Sequence, residues 1–248
     1  MTRPLISVII PARNEERWIE RTVQQALLAC NHLERRESAS GRPLWELLVV
    51  DNASTDRTVE ALELFQVEHG VKVIRLESLG AARARNAGRR ESAGQVLVFV
   101  DADTTIPVDA LTRVWEHCRD RHWAAGITSL GSLDGGVRAR IWWSFWNNIR
   151  RLPLAKAKAM PAFMFCTAAA FDAYGPFDEQ VAIGEEWPIL AGLYRHSARD
   201  VIYDRTIVAR SSSRRMEHGH FGYTRTLFKY VWAIVHVRGR IHYTDEIR

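Results

Sequence analysis

The sequence predicts an α/β protein with a mostly parallel central sheet, flanking helices and a helical tail at the C-terminus. Three apolar runs of strand length, 5–10, 47–50 and 96–100, each end in a cluster of polar residues. Apolar residues recur at helical spacing over 19–30 and 59–65, directly after the first two clusters. Alternating strands and helices indicate a parallel sheet with right-handed crossovers, so the polar clusters should share one edge.

The first two polar clusters also suggest where the helices begin. Asn14 and Ser54 are predicted N-caps, because their side chains accept hydrogen bonds from exposed backbone N–H groups at helix starts. Acidic residues follow each of them, where the helix dipole favours negative charge.

The third strand ends in two carboxylates, Asp101 and Asp103, one residue apart. Mg²⁺ and Mn²⁺ prefer carboxylate oxygens and usually recruit phosphate oxygens and water to their remaining positions. Open α/β sheets bind ligands at this edge, so the pair predicts a metal and diphosphate site. Asp is also common in turns for capping reasons, which makes the pair weak evidence by itself.

Composition limits the possible classes of protein. The chain has 248 residues, of which 47% are hydrophobic and 25% charged, enough for one core around a large sheet. We expect a cytoplasmic protein, since no apolar segment follows a basic start as in a signal peptide. Cys30, Cys118 and Cys166 are too far apart for a zinc site or a disulfide scaffold, and are predicted to be reduced core residues.

The net charge of +5 comes mainly from arginine. Such a charge suits nucleic acid, anionic lipid or the diphosphate of a small ligand. No paired Cys/His finger, aromatic ribonucleoprotein strand or basic helix with heptads is present, so we expect no nucleic-acid partner.

Five short motifs follow one another along the chain. They are SVIIPARNE at 7–15, VVDNASTD at 49–56, GAARARNAG at 80–88, DAD at 101–103, and GPFDE with GEE at 175–179 and 184–186. In this order they resemble the family 2 glycosyltransferases over roughly residues 5–190. The resemblance implies the GT-A fold and an inverting enzyme that uses nucleotide-diphosphate sugars.

The resemblance implies one GT-A glycosyltransferase domain over residues 1–220, with 1–103 as its nucleotide-sugar-binding half and 104–220 as its acceptor half. We expect residues 221–248 to form an amphipathic C-terminal segment.

The resemblance also assigns donor-binding positions. Those along the nucleoside and phosphates are Pro11, Ala12, Arg13, Glu15, Asp51, Asn52, Arg83, Arg85, Asp101 and Arg214 (or its neighbour Arg215). The amide at position 52 both donates and accepts, which leaves the base open between uridine, favoured, and guanosine. The alternative for each α-helical arginine, 83 and 85, is a solvated helix face.

Asp103 is the implied metal ligand, with Asp101 contacting ribose or a metal-bound water. His218 or His220, in a polar loop over 211–220 that is a candidate lid, would complete the metal shell or simply be solvated. Because two carboxylates would repel a diphosphate, the Mg²⁺ or Mn²⁺ ion is predicted to be obligatory.

Inverting transfer needs a carboxylate that deprotonates the acceptor hydroxyl. The family's acidic pair matches Glu185 and Glu186, with Glu186 favoured as the base and Glu185 as the alternative. Without the family match, acids at a helix start before Pro188 are explained by the helix dipole. Residues 163–171 resemble the strand that faces the acceptor, with Thr167 as its one hydroxyl.

Residues 138–151 place Trp142, Trp143 and Trp146 between two arginine pairs, and 221–235 repeat the aromatic and basic mixture. We expect Ile141, Trp142, Phe145 and Ile149 on one helix face. Tryptophan beside arginine is typical of a helix in a bilayer interface, which would suit a lipid-linked acceptor and peripheral membrane contact. Packing on the body or on a second subunit of a homodimer is the alternative.

The sequence thus favours a metal-dependent GT-A glycosyltransferase at the inner face of a membrane or free in the cytoplasm. Two other classes stay open: a catalytically silent nucleotide-sugar-binding subunit, and a sugar-nucleotide nucleotidyltransferase. Against the latter, the first strand lacks a glycine-rich loop with a basic end.

Overall fold

The structure is a computed structural model that describes residues 3–37, 44–152, 162–180, 187–217 and 222–235. Its eight described strands form one sheet in the order β3-β2-β1-β4-β7-β6-β8-β5. The strands are β1 (Ile6–Ala12), β2 (Trp45–Asn52), β3 (Lys72–Leu76), β4 (Val96–Val100), β5 (Thr104–Thr105), β6 (Ala125–Ser132), β7 (Phe163–Thr167) and β8 (Val201–Ser211).

The described helices flank this sheet. They are α1 (Ile19–Glu37), α2 (Glu60–His69), α3 (Ala81–Arg90), α4 (Ala110–Asp120), α5 (Val137–Ile149), α6 (Ala168–Tyr174), α7 (Trp187–His196), α8 (Arg214–Glu217) and α9 (Gly222–Val235). The predicted α/β class with a helix near the C-terminal end is confirmed. Within the described residues, no helix combines the length and apolar character needed to cross a membrane.

The sheet is parallel in its first half and mixed in its second. Strands β1 to β4 pair in parallel, whereas β7 runs antiparallel to both β4 and β6. Strand β8 then pairs in parallel with β6, and β5 closes the far edge antiparallel to β8. The antiparallel β7 therefore joins the two halves of the sheet.

Both faces of the central strands are buried, because alternate residues of each strand enter different clusters. Val98 and Val100 pack with α1 and α4 on one face, while Leu97 and Phe99 pack with α3, α6 and α7 on the other. Strands buried on both faces are expected to be continuous apolar runs, as β4 is, while β1 is interrupted only by the buried Ser7.

The predicted N-caps are wrong. Helices α1 and α2 begin at Ile19 and Glu60, several residues after Asn14 and Ser54. These two side chains instead tie two loops together: Asn14 Oδ1 accepts from Thr55 N at 2.8 Å, and Ser54 Oγ accepts from Asn14 N at 3.0 Å. Asn14 has φ of 51°, a left-handed conformation that Asn tolerates better than most residues.

The cysteine prediction is confirmed. All three cysteines are free, with Cys30 and Cys166 buried and Cys118 half-buried. Burial raises the pKa of the Cys30 and Cys166 thiols, which keeps both neutral in the core.

Candidate active site

The three polar clusters meet at one edge, as the sequence predicts. Strands β2, β1 and β4 are neighbours, and Ala12 near the end of β1 lies opposite Asp51 of β2. Asp101 follows directly on β4. The parallel pairing of β1 with both neighbours therefore gathers the three loops at the carboxyl edge of the sheet.

Asp51 and Asn52, at the end of β2, are buried at this edge, with 5% of each residue exposed. Asp51 Oδ1 accepts from Ser54 N at 3.2 Å. Asn52 Oδ1 accepts from Gly80 N at 3.0 Å, which fixes the residue that precedes α3. Gly80 has φ of 148°, a backbone conformation that side chains rarely permit. Asn52 thus positions the start of α3, a role that its sequence motif did not reveal.

Arg85 points from α3 to the end of β4. Its Nη2 donates to Asp101 Oδ1 at 2.7 Å, and its guanidinium lies 5.8 Å from the centre of the Phe177 ring. The side chain is only 13% exposed, so the alternative of a solvated helix face is wrong for Arg85. The pair sets a cation beside the carboxylate that begins the DAD motif.

Asn86 links the GAARARNAG motif to the GPFDE motif, although 91 residues separate Asn86 and Phe177. Its amide exchanges two hydrogen bonds with the backbone of Phe177 and donates to Glu179 Oε1 at 2.9 Å. That hydrogen bond, with a smaller part from Arg83 at 3.3 Å, lowers the pKa of Glu179. Arg83 is therefore held by Glu179, beside the edge where Arg85 meets Asp101.

Asp103 is 7% exposed and is enclosed by the segment that follows β8. Ser211 Oγ donates to its Oδ1 at 3.3 Å, and Ser212 N donates to its backbone oxygen at 3.1 Å. Arg214 Nη2 lies 3.8 Å from Asp103 Oδ2 and also forms an ion pair with Glu15. Arg214 thus links Asp103 to Glu15, which lies in the first third of the chain.

The start of the predicted lid is part of the protein body. Ser211, Ser212 and Ser213 are 6%, 5% and 0% exposed. Asp134, which the sequence did not single out, accepts from Ser212 Oγ at 2.6 Å and from Ser213 N at 2.7 Å. The prediction that residues 211–213 belong to a lid is therefore wrong. The predicted metal ligands His218 and His220 lie outside the described residues.

The carboxylate oxygens at this edge are ligands of the kind that a hard divalent cation prefers. Among the described residues, no group of three or more His, Cys, Asp and Glu side chains is placed to hold a metal. Mg²⁺ and Mn²⁺ do not need such a group, since one or two carboxylates with diphosphate oxygens and water complete their shell. Asp103 and Asp101 are two carboxylates at this edge that could serve as such ligands. In the described part of the chain, Arg13 Nε, at the same edge, is buried without a hydrogen-bond partner.

The predicted base pair, Glu185 and Glu186, lies outside the described residues. Helix α7 begins just after it at Trp187, with Pro188 in the first turn, where a missing N–H costs nothing. The predicted strand over 163–171 is shorter than expected, ending at Thr167. Thr167 Oγ1 caps α6 by accepting from Ala170 N at 3.1 Å, so its hydroxyl has a structural role.

The predicted apolar face of α5 is wrong. Trp142 and Trp146 are 7% and 6% exposed and pack on Met216, whereas Ile141 and Phe145 are 65% and 47% exposed. Each residue advances an α-helix by about 100°, so Trp142 and Trp146 lie on a different face from Ile141 and Phe145. The packing alternative is therefore confirmed for Trp142 and Trp146, and they do not form a membrane surface. In the tail, Tyr223 and Leu227 join the same cluster.

Comparisons with known proteins agree with this architecture. The family model described as glycosyl transferase family 2 matches residues 7–174. A protein of Bacillus subtilis (strain 168), TuaG, which carries the name of a teichuronic acid biosynthesis glycosyltransferase, is 33% identical over 137 residues. An undecaprenyl-phosphate 4-deoxy-4-formamido-L-arabinose transferase of Pectobacterium carotovorum subsp. carotovorum (strain PC1) is 29% identical over 136 residues.

These matches cover 54% of the chain in both cases, and 50% and 39% of the two relatives. The chain therefore spans half or less of these relatives' length. Among solved structures, the mannosyltransferase PcManGT of Pyrobaculum calidifontis, in complex with GDP-Man and Mn²⁺, superposes with a TM-score of 0.65 at 19% identity, covering 94% of this chain and 64% of that one. TarS 1-349 of S. aureus with UDP-GlcNAc gives 0.60 at 18%, covering 92% and 66%. At this identity the superpositions show a shared GT-A fold.

Proposed function

The chain belongs to glycosyl transferase family 2, and we propose that this glycosyltransferase is metal-dependent and inverting, moving a sugar from a nucleotide diphosphate to an acceptor hydroxyl. The observation that supports this most is the convergence at the carboxyl edge. Asp101 and Asp103 follow β4 there, while Arg85 and Arg214 bring positive charge to the same two carboxylates.

The nucleoside would lie along the loops of β1 and β2, against Pro11, Ala12, Arg13 and the buried Asp51. Uridine remains the favoured base and guanosine the second, and solved relatives of the same fold include complexes with UDP-GlcNAc and with GDP-Man. The donor half is residues 1–103 and the acceptor half 104–220, with 221–248 as the C-terminal segment.

The diphosphate would replace protein carboxylates as the partner of the two arginines. Arg85 now pairs with Asp101, and Arg214 with Glu15 and more distantly with Asp103. Guanidinium groups bind phosphate through paired, charge-assisted hydrogen bonds. Exchanging a carboxylate for a phosphate would leave both Asp side chains directed at a divalent cation, which stabilises the leaving diphosphate when bound.

The chemistry needs a base on the acceptor side, and Glu186 is proposed for it, with Glu185 as the alternative. The acceptor oxygen bonds to the anomeric carbon as the bond to the diphosphate breaks, and the hydroxyl proton passes to the carboxylate. Attack opposite the leaving group inverts the configuration at that carbon. Helix α7, which follows the pair, packs on β6 and β8 in the acceptor half.

The acceptor is proposed to be lipid-linked and the enzyme to work at the inner face of a membrane. One relative carries the name of an undecaprenyl-phosphate sugar transferase, which makes a lipid-linked acceptor a reasonable class for this chain.

Calorimetry with UDP and GDP, with and without Mn²⁺, tests the donor site. Asp103→Asn keeps an acceptor for Ser211 but removes the charge, so we expect metal-dependent affinity to fall about tenfold or more. The matched control is Asp109→Asn, a carboxylate at the start of α4 whose side chain is 46% exposed. Equal affinity in wild type and Asp103→Asn, with both proteins folded, contradicts the metal assignment.

A further inference from the structure

A cavity of about 640 Å³ lies between α5 and the strands β6 and β8. We call it the α5 cavity. Its polar lining includes Ser129, Asn148, Tyr203, Arg140, Arg151 and Arg205. The three arginines come from both ends of α5 and from the irregular part of β8, where the pairing with β6 shifts after Thr128.

Three exposed arginines therefore line a cavity with a polar floor. In the described part of the chain, none of the three arginines has an acidic side chain within ion-pair distance. The floor is fixed, because the Tyr203 hydroxyl lies 3.1 Å from Ser129 Oγ and donates to the Asn147 backbone oxygen at 3.2 Å. Converging guanidinium groups beside hydroxyls are the chemistry that binds a phosphate group.

An exposed apolar stripe runs along α5 beside this cavity. Val137, Ile141 and Phe145 are 60%, 65% and 47% exposed and follow one another at four-residue spacing. Leu152, 42% exposed, extends the stripe beyond the helix end. On the helix surface this stripe adjoins the face that carries Arg140, Ser144 and Arg151. A helix that is buried on one face therefore offers cationic and apolar faces next to each other.

The cavity also adjoins the proposed donor site. Ser132 lines it and contacts Ser213 Oγ at 2.9 Å, while Ser211, two residues before Ser213, donates to Asp103. Helix α7, which follows Glu185 and Glu186, packs on the same two strands, β6 and β8. A ligand in the cavity would lie on the acceptor side of the donor edge.

We propose that the α5 cavity binds the phosphate of a lipid-linked acceptor and that the apolar stripe receives its hydrocarbon chain. This inference rests on the proposed function, in which the enzyme transfers a sugar to a lipid-linked acceptor. The recognition itself rests on charge and exposure: an amphiphile with an anionic phosphate and an apolar tail matches two adjoining faces of one helix. A soluble phosphate compound would use the arginines and leave the stripe unused.

Calorimetry on the full chain with dodecyl phosphate, kept below its micelle concentration, tests this directly. Inorganic phosphate and an uncharged dodecyl glycoside are the two comparison probes. Each titration is run with and without UDP and Mg²⁺, so that phosphate bound in the donor site is recognised. We expect dodecyl phosphate to bind at least tenfold more tightly than either comparison probe, because each of those lacks one of its two groups.

Two sets of variants test the arginines of the cavity and the apolar stripe separately. Arg140→Gln and Arg205→Gln should each weaken dodecyl phosphate binding about tenfold, the usual worth of a charge-assisted hydrogen bond. The matched control is Arg138→Gln, an exposed arginine on the same helix that does not line the cavity. Ile141→Ser and Phe145→Ser should weaken dodecyl phosphate but not inorganic phosphate, whereas Leu64→Ser, an apolar residue exposed elsewhere, should change neither.

Two results overturn the proposal. If dodecyl and inorganic phosphate bind equally and the stripe variants change nothing, the ligand is a soluble phosphate. If Arg140→Gln and Arg205→Gln both bind dodecyl phosphate like wild type, the cavity is not the phosphate site. Failure of the donor site is recognised separately, since UDP would then not bind wild type while dodecyl phosphate binding and its loss in the arginine variants would persist.

Discussion

Replacing Asp204 by Asn should destabilise the contact between α4 and β8. Asp204, on β8, is 6% exposed and holds two features together. Its Oδ1 accepts from Thr206 N at 2.7 Å and from Ile207 N at 3.3 Å, which shapes the irregular part of β8. Its Oδ2 accepts from Arg113 Nη2 at 3.1 Å and contacts His117 Nε2 at 2.8 Å, which docks α4 on the strand.

The size of the expected destabilisation depends on which of the Asp204 contacts an Asn side chain can keep. The Asn carbonyl still accepts from Thr206, but its NH₂ group faces the Arg113 and His117 donors. Losing a charge-assisted hydrogen bond costs about 1.5–3 kcal/mol. Breaking a fully buried ion pair costs about 3–5 kcal/mol, and Arg113 at 27% exposure recovers some solvation. We therefore expect a loss of about 2–3 kcal/mol in the free energy of unfolding, or about 5–10 °C in Tm.

Urea denaturation of wild type and Asp204→Asn measures this difference. Asp109→Asn is the matched control, because Asp109 pairs with the same arginine, Arg113, at 3.8 Å but is 46% exposed. An exposed helix pair contributes at most about 0.5 kcal/mol. If the two variants lose the same stability within that margin, the buried carboxylate does not hold α4 to β8 as argued.

The same comparison has a pH dependence with a defined sign. Burial opposes ionisation of Asp204, but hydrogen bonds from His117 and Thr206 and the charge of Arg113 outweigh it and hold the pKa of its carboxyl well below the usual range. A carboxylate with a lowered folded pKa contributes stability above its unfolded pKa of about 3.9 and loses that contribution as pH falls toward the folded value. The difference between wild type and Asp204→Asn should therefore shrink below about pH 4.

Two further outcomes are expected. Glu186→Gln should keep donor affinity and lower turnover by roughly two to four orders of magnitude, the usual worth of a positioned base; if Glu185→Gln shows that loss instead, the assignment within the pair is reversed. Gly126→Ala should cost about 1–3 kcal/mol in urea denaturation, because its Cβ would lie 2.3 Å from Phe165 Cζ and 2.6 Å from Ile202 Cγ2, whereas Gly136→Ala, with nothing within 4 Å, should be tolerated. A stable Gly126→Ala protein would mean that β6 and β7 separate more easily than their packing implies.

Local pattern was enough to predict the first strands of the sheet and the edge at which their polar loops meet. Apolar runs that end in polar residues located β1, β2 and β4, and their order along the chain placed Asp51 and Asp101 at one edge. The buried positions of α1 also follow from spacing alone, since Ile19, Val23 and Cys30 lie on its inner face. These features depend on residues close in sequence, which is why periodicity reveals them.

Contacts between distant residues could not be predicted in this way. Asn14 and Ser54 are typical N-cap residues, but their partners lie about 40 residues away in the neighbouring loop. Arg214 and Glu15 are 199 residues apart, and no local pattern indicates their pairing. For α5, apolar residues occupy two adjacent faces, so spacing alone did not decide which face is buried.

The most direct test of the central claim is to incubate the protein with a panel of UDP- and GDP-sugars and Mn²⁺ and to identify the products by NMR. The proposed function predicts that one donor releases its nucleoside diphosphate, that the released or transferred sugar first appears with inverted configuration at the anomeric carbon, and that Asp103→Asn abolishes the reaction while Asp109→Asn does not. Retention of configuration, or turnover that survives both removal of Mn²⁺ and Asp103→Asn, would contradict it.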